Sequence, residues 1–305
     1  MLYEIKDGKI QTKALEYSVA YNCNLTCSAC SHMSPHQSQH LSSLESFTAD
    51  VERLSPVLHA KDIRLLGGEP LLNPDIVGFL KIARRSGIAD TIMVTTNGLL
   101  LSGMKDEFWE NVDFIWVSLY QGASPPERAL EKIKAKAKES NTRIDFDYTT
   151  HFRTTLVTEP HPDGWVTDMI FKTCGSAHLF HCHMLHEGRI YKCSCPAFLP
   201  EFLSRMGKDG HSFIEDGLDI HASQNLSEDL KTYLFTPKTL KACNHCLGYV
   251  GKWQEHHMLS KEALINPAVD PVSRQTHLSK RKFLQEAALY YYRRGVEKLT
   301  GQPKW

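Results

Sequence analysis

The alternation of short apolar strands with amphipathic helices between residues 15 and about 170 constrains the fold of this chain more than any other feature. Leu15 to Tyr21 reads as a first strand; Ile63 to Leu66, Thr91 to Thr95, Phe114 to Leu119 and Ile144 to Tyr148 repeat the pattern. Between them, Leu44, Phe47, Val51, Leu54 and Leu58 recur at three- and four-residue steps, as do Ala129, Leu130, Ile133 and Ala137. Asn73-Pro74 and Gly87 bracket another helix, because Asn caps orphan N–H groups, Pro loses nothing in a first turn, and Gly ends a helix readily. Ser124-Pro-Pro-Glu127 has the Ser-x-x-Glu capping pattern. Val166 to Phe171 predicts a sixth strand. Strands joined by helices of this length form a parallel sheet with right-handed crossovers. The expected fold is α/β, a partial (β/α)6 TIM-like barrel whose chemistry lies beyond the carboxyl ends of the strands.

The chain has 305 residues, about two domains at roughly 150 residues each. Its 35 basic and 35 acidic side chains cancel, so no net field recruits nucleic acid or an anionic membrane. The opening Met1-Leu-Tyr-Glu-Ile-Lys6 lacks a basic-then-apolar signal pattern and no run of 18 apolar residues occurs, which predicts a cytoplasmic location. The expected division is a barrel core over residues 1–170, a small second domain over 171–260, and a linker and helical tail over 261–305. Asn266 to Pro271 is the linker candidate. The tail helix from Ser279 to Leu299 sets Phe283, Leu284, Ala287, Ala288 and Tyr291 on one side.

Nine cysteines fall in three groups: 23, 27 and 30; 174, 182, 193 and 195; 243 and 246. An odd number without an export signal argues against a disulfide scaffold, and the clustering points to metal or redox-cofactor ligation. Cys23-Asn-Leu-Thr-Cys27-Ser-Ala-Cys30 has the spacing C-x3-C-x2-C. A structural zinc site wants four closed ligands, and no fourth lies at ribbon-like distance. Three thiolates on one loop suit a cubane iron–sulfur cluster with one iron left open.

The C-x3-C-x2-C loop after the first strand, with Gly67-Gly68-Glu69-Pro70 after the second, resembles the radical S-adenosylmethionine (SAM) superfamily over about residues 15 to 170. The resemblance implies a [4Fe–4S] cluster on Cys23, Cys27 and Cys30 whose open iron chelates the amino and carboxylate groups of SAM. Reductive cleavage then gives methionine and a 5′-deoxyadenosyl radical. Gly67 and Gly68 would bring backbone close to the methionine portion. Glu69 would accept a charge-assisted hydrogen bond from its ammonium group, and Pro70 would stiffen the turn. Asn97 and Ser118, at the ends of the third and fourth strands, are candidates for the ribose and methionine, or simply cap their loops. Where the family commonly has an aromatic residue before the third cysteine this chain has Ala29, which leaves the adenine to backbone around Ala29 to His32.

Cys174, Gly188, Cys193 and Cys243-Asn-His-Cys246 make C-x13-G-x4-C followed by C-x2-C, which resembles the start of the SPASM extension behind many radical-SAM barrels, or its shorter twitch version. No cysteine follows Cys246, so the resemblance implies one auxiliary [4Fe–4S] cluster on Cys174, Cys193, Cys243 and Cys246; a structural zinc would use the same four thiolates. Leu185 to Cys193 reads as a hairpin turning at Gly188. Cys182 and Cys195 are spare, as alternative ligands, packing thiols or functional thiols. Lys252 and Arg189 are polar candidates for the cavity or surface ion pairs, and His178, His181, His183, His186, His256 and His257 could ligate, carry protons or simply be satisfied.

In cysteine layout and size the chain is similar to the twitch-type dehydrogenase of aminoglycoside biosynthesis that oxidises 2-deoxy-scyllo-inosamine. The resemblance implies hydrogen abstraction from a carbinol carbon of a sugar- or cyclitol-type substrate, oxidation to a ketone with the auxiliary cluster as electron acceptor, and a flavodoxin- or ferredoxin-type donor. Two alternatives use the same cofactors. One is an epimerase with Cys182 or Cys195 as catalytic hydrogen donor. The other modifies a ribosomal peptide docked on the tail helix or the second domain. A zinc-stabilised binding module with a degenerate barrel is a further class, which intact Cys23, Cys27, Cys30 and Glu69 argue against.

Overall fold

The computed structural model describes residues 3–265 and 274–300, so the Asn266 to Pro271 linker lies outside the described residues. A short strand β1 (Glu4–Lys6) leads into the long β2 (Lys9–Ala20). Then come α1 (Leu44–Leu54), β3 (Leu58–Gly67), α2 (Ile76–Ser86), β4 (Ala89–Thr96) and α3 (Asp106–Asn111). They are followed by β5 (Phe114–Tyr120), α4 (Glu127–Glu139), β6 (Arg143–Thr149) and β7 (His151–Arg153). The second half carries α5 (Gly164–Lys172), α6 (Gly175–His178), β8 (Cys182–His186), β9 (Arg189–Tyr191), α7 (Cys195–Arg205), β10 (Gly217–Asp219) and α8 (Leu226–Phe235). Last are β11 (Trp253–Glu255), α9 (Lys261–Ile265), α10 (Arg274–His277) and α11 (Lys280–Thr300).

The main sheet has the order β10-β9-β8-β2-β3-β4-β5-β6, with β1 folded back antiparallel on β2. Strands β2 to β6 run parallel in chain order, the topology of an α/β partial barrel. One face buries Leu15, Tyr17, Ile63, Leu65, Ile92, Val94, Ile115 and Val117 against Phe47, Val51, Phe79, Leu80, Phe108, Leu130 and Ile133 from α1 to α4. Each such side chain contributes about 2 kcal/mol on burial, so this interface holds the strand ends in place.

The sixth parallel strand is not the expected one. Residues 164–172 are helical, started by Asp163, whose carboxylate accepts the N–H of Trp165 at 2.9 Å. Val166, Met169 and Ile170 are buried at helical spacing. The sixth strand is β8, which pairs parallel with the opposite edge of the sheet, Ala14 opposite Cys182 and Tyr17 opposite Leu185. Its hairpin partner β9 follows through Glu187 and Gly188, both at positive φ (47° and 70°), as a two-residue primed turn requires.

Two expected caps also differ. The N-cap of α2 is Asp75 and not Asn73, whose Oδ1 accepts Asp75 N–H at 3.0 Å before the helix begins. Ser124 does not cap α4; its hydroxyl donates to the carbonyl of Tyr120 and Pro126 takes the N-cap position. In the tail, α11 buries Phe283 and Ala287 against α5, while Leu284 and Tyr291 are exposed. No helix among the described residues is long and apolar enough to cross a membrane.

Candidate active site

A cavity of about 370 Å³ opens beyond the carboxyl ends of the parallel strands. Cys23, Cys27 and Cys30 from the loop after β2 line it, with Gly67 and Gly68 after β3, Asn97 after β4, and Ser118 and Tyr120 of β5. Asp147 and Thr149 of β6 close one side, and Phe152 and Trp253 come from the small antiparallel pair β7–β11.

The glycine pair is required by backbone contact. A Cβ on Gly68 would stand 2.0 Å from the carbonyl oxygen of Asn22, and one on Gly67 2.1 Å from that of Ala20. Gly67 also sits at φ +134°. With both side chains absent, the N–H of Gly68 donates to Ala20 at 2.8 Å and that of Glu69 to Asn22 at 3.1 Å. The exit of β3 is thus stitched directly to the chain that enters the cysteine loop.

Glu69 follows the glycine pair. Its carboxylate is fully buried, off the cavity wall, and accepts three hydrogen bonds: from Leu71 N–H (3.1 Å), Thr96 Oγ1 (2.6 Å) and Asn97 N–H (2.8 Å). Burial raises its carboxyl to about 7 against the lowering effect of these donors. These bonds lock the turn after β3 to the turn after β4. Asn97 is placed by this lock. Its amide oxygen accepts Leu99 N–H at 3.0 Å, a loop cap, while its Nδ2 donates to Asn24 Oδ1 at 2.7 Å and reaches to 3.7 Å from Cys23 Sγ.

The cysteine loop is held from the far end of the chain as well. Cys27 and Met258 form an antiparallel bridge, with Ser28 N–H donating to His257 (2.9 Å) and Leu259 N–H to Thr26 (2.7 Å). Ala29 takes a left-handed φ of 55°. Burial, with the neighbouring thiols, pushes Cys23 up to about 11 and Cys27 up to about 12. Such thiols become thiolates only when a cation joins them, which is the chemistry of a thiolate-ligated cluster. Among the described residues no group of three or more His, Cys, Asp or Glu side chains is drawn in tightly enough to grip a single metal ion. The donor set of the loop, three thiols on one wall with Leu25 N–H at 3.4 Å from Cys23 Sγ, fits a cluster that three cysteines share.

Comparison with known proteins bears on this arrangement. Residues 17–145 match the radical SAM superfamily. Over that stretch, less than half of its length, the chain is similar to a radical SAM superfamily domain. The GTP 3′,8-cyclase of Chlorobaculum tepidum is 37% identical over 94 residues, and the probable GTP 3′,8-cyclase of Methanothermobacter thermautotrophicus 39% over 94. Each alignment covers 30% of this chain, and 28% and 29% of the relative, so the chain spans less than a third of the relatives it matches. Among solved structures, that of BtrN in complex with AdoMet and 2-DOIA superposes with a TM-score of 0.46 at 15% identity, covering 78% of this chain and 94% of that one. A radical SAM domain implies SAM and a [4Fe–4S] cluster as its cofactors.

The second cysteine set converges elsewhere. Cys174, Cys193, Cys243 and Cys246 line one small apolar pocket with Ile170, Phe171 and Leu240, and Cys195 lines it too. Burial raises Cys174 to about 12. A hydrogen bond from Cys195 Sγ to Cys246 Sγ at 3.9 Å lowers the Cys246 thiol. Cys182 is not brought to either set; it lies on β8 with Arg64 Nη1 3.7 Å from its sulfur. Arg189 is paired with Asp219 at 2.9 Å, outside the cavity. His178, His181 and His183 are buried and held neutral, with His183 hydrogen-bonded to Tyr3 at 2.8 Å.

Sequence reasoning missed the cavity wall built by Phe152 and Trp253, and the clamp at His257 to Leu259. The first is made by a pair of three-residue strands about a hundred residues apart, the second by an isolated bridge between Cys27 and Met258, and nothing local marks either.

Proposed function

We propose that this chain is a radical SAM oxidoreductase that oxidises a carbinol carbon of a sugar- or cyclitol-type small molecule to a ketone. In this reading Cys23, Cys27 and Cys30 hold the SAM-binding cluster. Gly67, Gly68, Asn97 and Ser118 border the SAM, and Cys174, Cys193, Cys243 and Cys246 hold an auxiliary [4Fe–4S] cluster. When bound, the first cluster and SAM supply a 5′-deoxyadenosyl radical, and the second cluster supplies an acceptor for the substrate electron. The electron for SAM cleavage comes from a flavodoxin- or ferredoxin-type donor.

The observation that carries the reading is the convergence of the second cysteine set on a pocket of its own, separate from the cavity of the first. An acceptor with a full set of thiolates needs no substrate site, and the pocket is lined by apolar side chains and cysteines. The main cavity favours a neutral, hydroxylated substrate. Its wall presents Ser118, Thr95, Thr96, Thr149 and Asp147, and no Lys or Arg among the described residues. A nucleoside triphosphate such as the GTP in the relatives' names would bring several negative charges to a wall that offers Asp147 and, among the described residues, no Lys or Arg to meet them.

The test is anaerobic turnover of the reconstituted chain with SAM, a reductant and a panel of sugars and cyclitols. A ketone and 5′-deoxyadenosine in equal amounts are expected. Cys243→Ala should keep forming 5′-deoxyadenosine while ketone falls at least about tenfold. An isomer carrying solvent deuterium as the product would replace this reading with an epimerase.

A further inference from the structure

We propose that Cys195 belongs to the second metal site and shares one coordination position with Cys246, so that either thiolate completes a set with Cys174, Cys193 and Cys243. The inference rests on the auxiliary-cluster reading given above. Five thiols, not four, face the same pocket. The sulfurs of Cys195 and Cys246 lie 3.9 Å apart, in van der Waals contact. In a four-cysteine cubane each iron takes one protein thiolate, so two touching sulfurs compete for the same iron.

The two thiols reach this point on separate supports. Cys195 is the first residue of α7, two residues beyond Cys193, and is followed by Pro196. Cys246 follows the short turn Lys241–His245, and its backbone is tied to Leu156 by an antiparallel bridge. The backbone N–H of Gly248 donates to Cys246 Sγ at 3.2 Å, which favours a thiolate there. Cys246 is therefore the resting ligand and Cys195, its donor neighbour, the substitute. In the exchange the iron–sulfur bond to Cys246 breaks, one to Cys195 forms, and the proton of Cys195 passes to Cys246; no electron moves.

Metal analysis of the full chain tests this without reference to turnover. After anaerobic reconstitution the unsubstituted chain should hold about eight irons and eight sulfides, and so should Cys195→Ala and Cys246→Ala separately. Cys243→Ala, Cys193→Ala and the double variant Cys195→Ala/Cys246→Ala should each fall to about four. The four irons left on Cys23, Cys27 and Cys30 report that these variants are folded. The reduced cluster signal of Cys246→Ala should shift in electron paramagnetic resonance, whereas that of Cys195→Ala should superimpose on the unsubstituted chain. A Cys246→Ala chain with only about four irons, like Cys243→Ala, would overturn the proposal. Four irons in the unsubstituted chain would remove the auxiliary-cluster reading and this proposal together, an outcome recognisable because no substitution is involved.

Discussion

Glu69 shows how a residue of a binding motif can do its work inside the protein. Its carboxyl has no exposure and is raised to about 7 because burial penalises the charge more than three hydrogen bonds reward it. Between the ordinary glutamate range near 4.5 and about 7 the folded chain holds a proton that the unfolded chain has released, so this group's contribution to stability falls as pH rises through that window. Glu69→Gln removes the titration. Denaturant unfolding of the metal-free chain should show the unsubstituted protein losing roughly 3 kcal/mol relative to Glu69→Gln between pH 4.5 and 7. A constant difference across that range would mean that the carboxylate stays ionised throughout. At fixed low pH, Glu69→Gln should be the less stable of the two. A glutamine can accept through only one of its two terminal atoms, and at least one of the donors at Leu71, Thr96 and Asn97 loses its partner, at about 1–3 kcal/mol.

At the scale of elements, the decisive contact is between the exits of β2 and β3. Gly68→Ala would drive a methyl group into the backbone of Asn22 and Cys23, 2.0 Å from one oxygen and 2.8 Å from one nitrogen, and neither can move without moving the cysteine loop. A cost of at least about 3 kcal/mol in unfolding free energy is expected, with loss of SAM binding by the reconstituted chain in equilibrium dialysis. Gly87→Ala is the comparison: Gly87 ends α2 at φ +61° with open space around its Cβ position, so strain alone should cost about 1 kcal/mol and SAM binding should persist. Equal behaviour of the two variants would remove close packing as the reason for the glycine pair. Most of this architecture is legible in the chain itself. The helices α1, α2 and α4 show their buried faces at three- and four-residue spacing, and Gly87 sits where a left-handed terminus is needed. The misread stretch is Val166 to Phe171. A short apolar run fits either a buried strand or a buried helix, and the arbiter was Asp163, whose side chain caps the helix two residues before Trp165. The cysteines were legible in sequence as two sets from their spacing alone, and the two sets line separate cavities. That Cys182 joins neither set depends on where β8 pairs, and that Cys195 lines the second pocket depends on where α7 begins, which no local pattern carries.

Across the whole molecule, one stretch ties the two cysteine sets together. Cys246 bridges to Leu156, and the N–H of Leu247 donates to Thr155 at 2.7 Å. Gly251 packs so closely on Thr154 that a Cβ would lie 1.8 Å from its carbonyl oxygen, and Thr154 N–H donates to Lys252 at 2.9 Å. The chain then runs through β11 to Met258, which bridges to Cys27. A second cavity of about 210 Å³ lies between these parts, with Cys27 and Cys30 on one wall and Thr154, Leu156, Gln254 and His257 on the other. Under the proposed function, fixing Cys243 and Cys246 on a common metal centre would brace the segment whose far end holds the first cysteine loop. Loss of that proposed centre should loosen that end without unfolding the barrel, because the packing of α1 to α4 on the sheet does not involve it. Hydrogen exchange measures this directly at two amides, Ser28 and Leu259, whose N–H groups make the clamp. In Cys174→Ala, with the first cluster loaded, both should exchange about tenfold faster, equivalent to roughly 1.4 kcal/mol of lost local protection, while amides of β3 and β4 keep their rates. If the rates at Ser28 and Leu259 stay the same, the two cysteine sets are mechanically independent, and any communication between them must pass through the ligands alone.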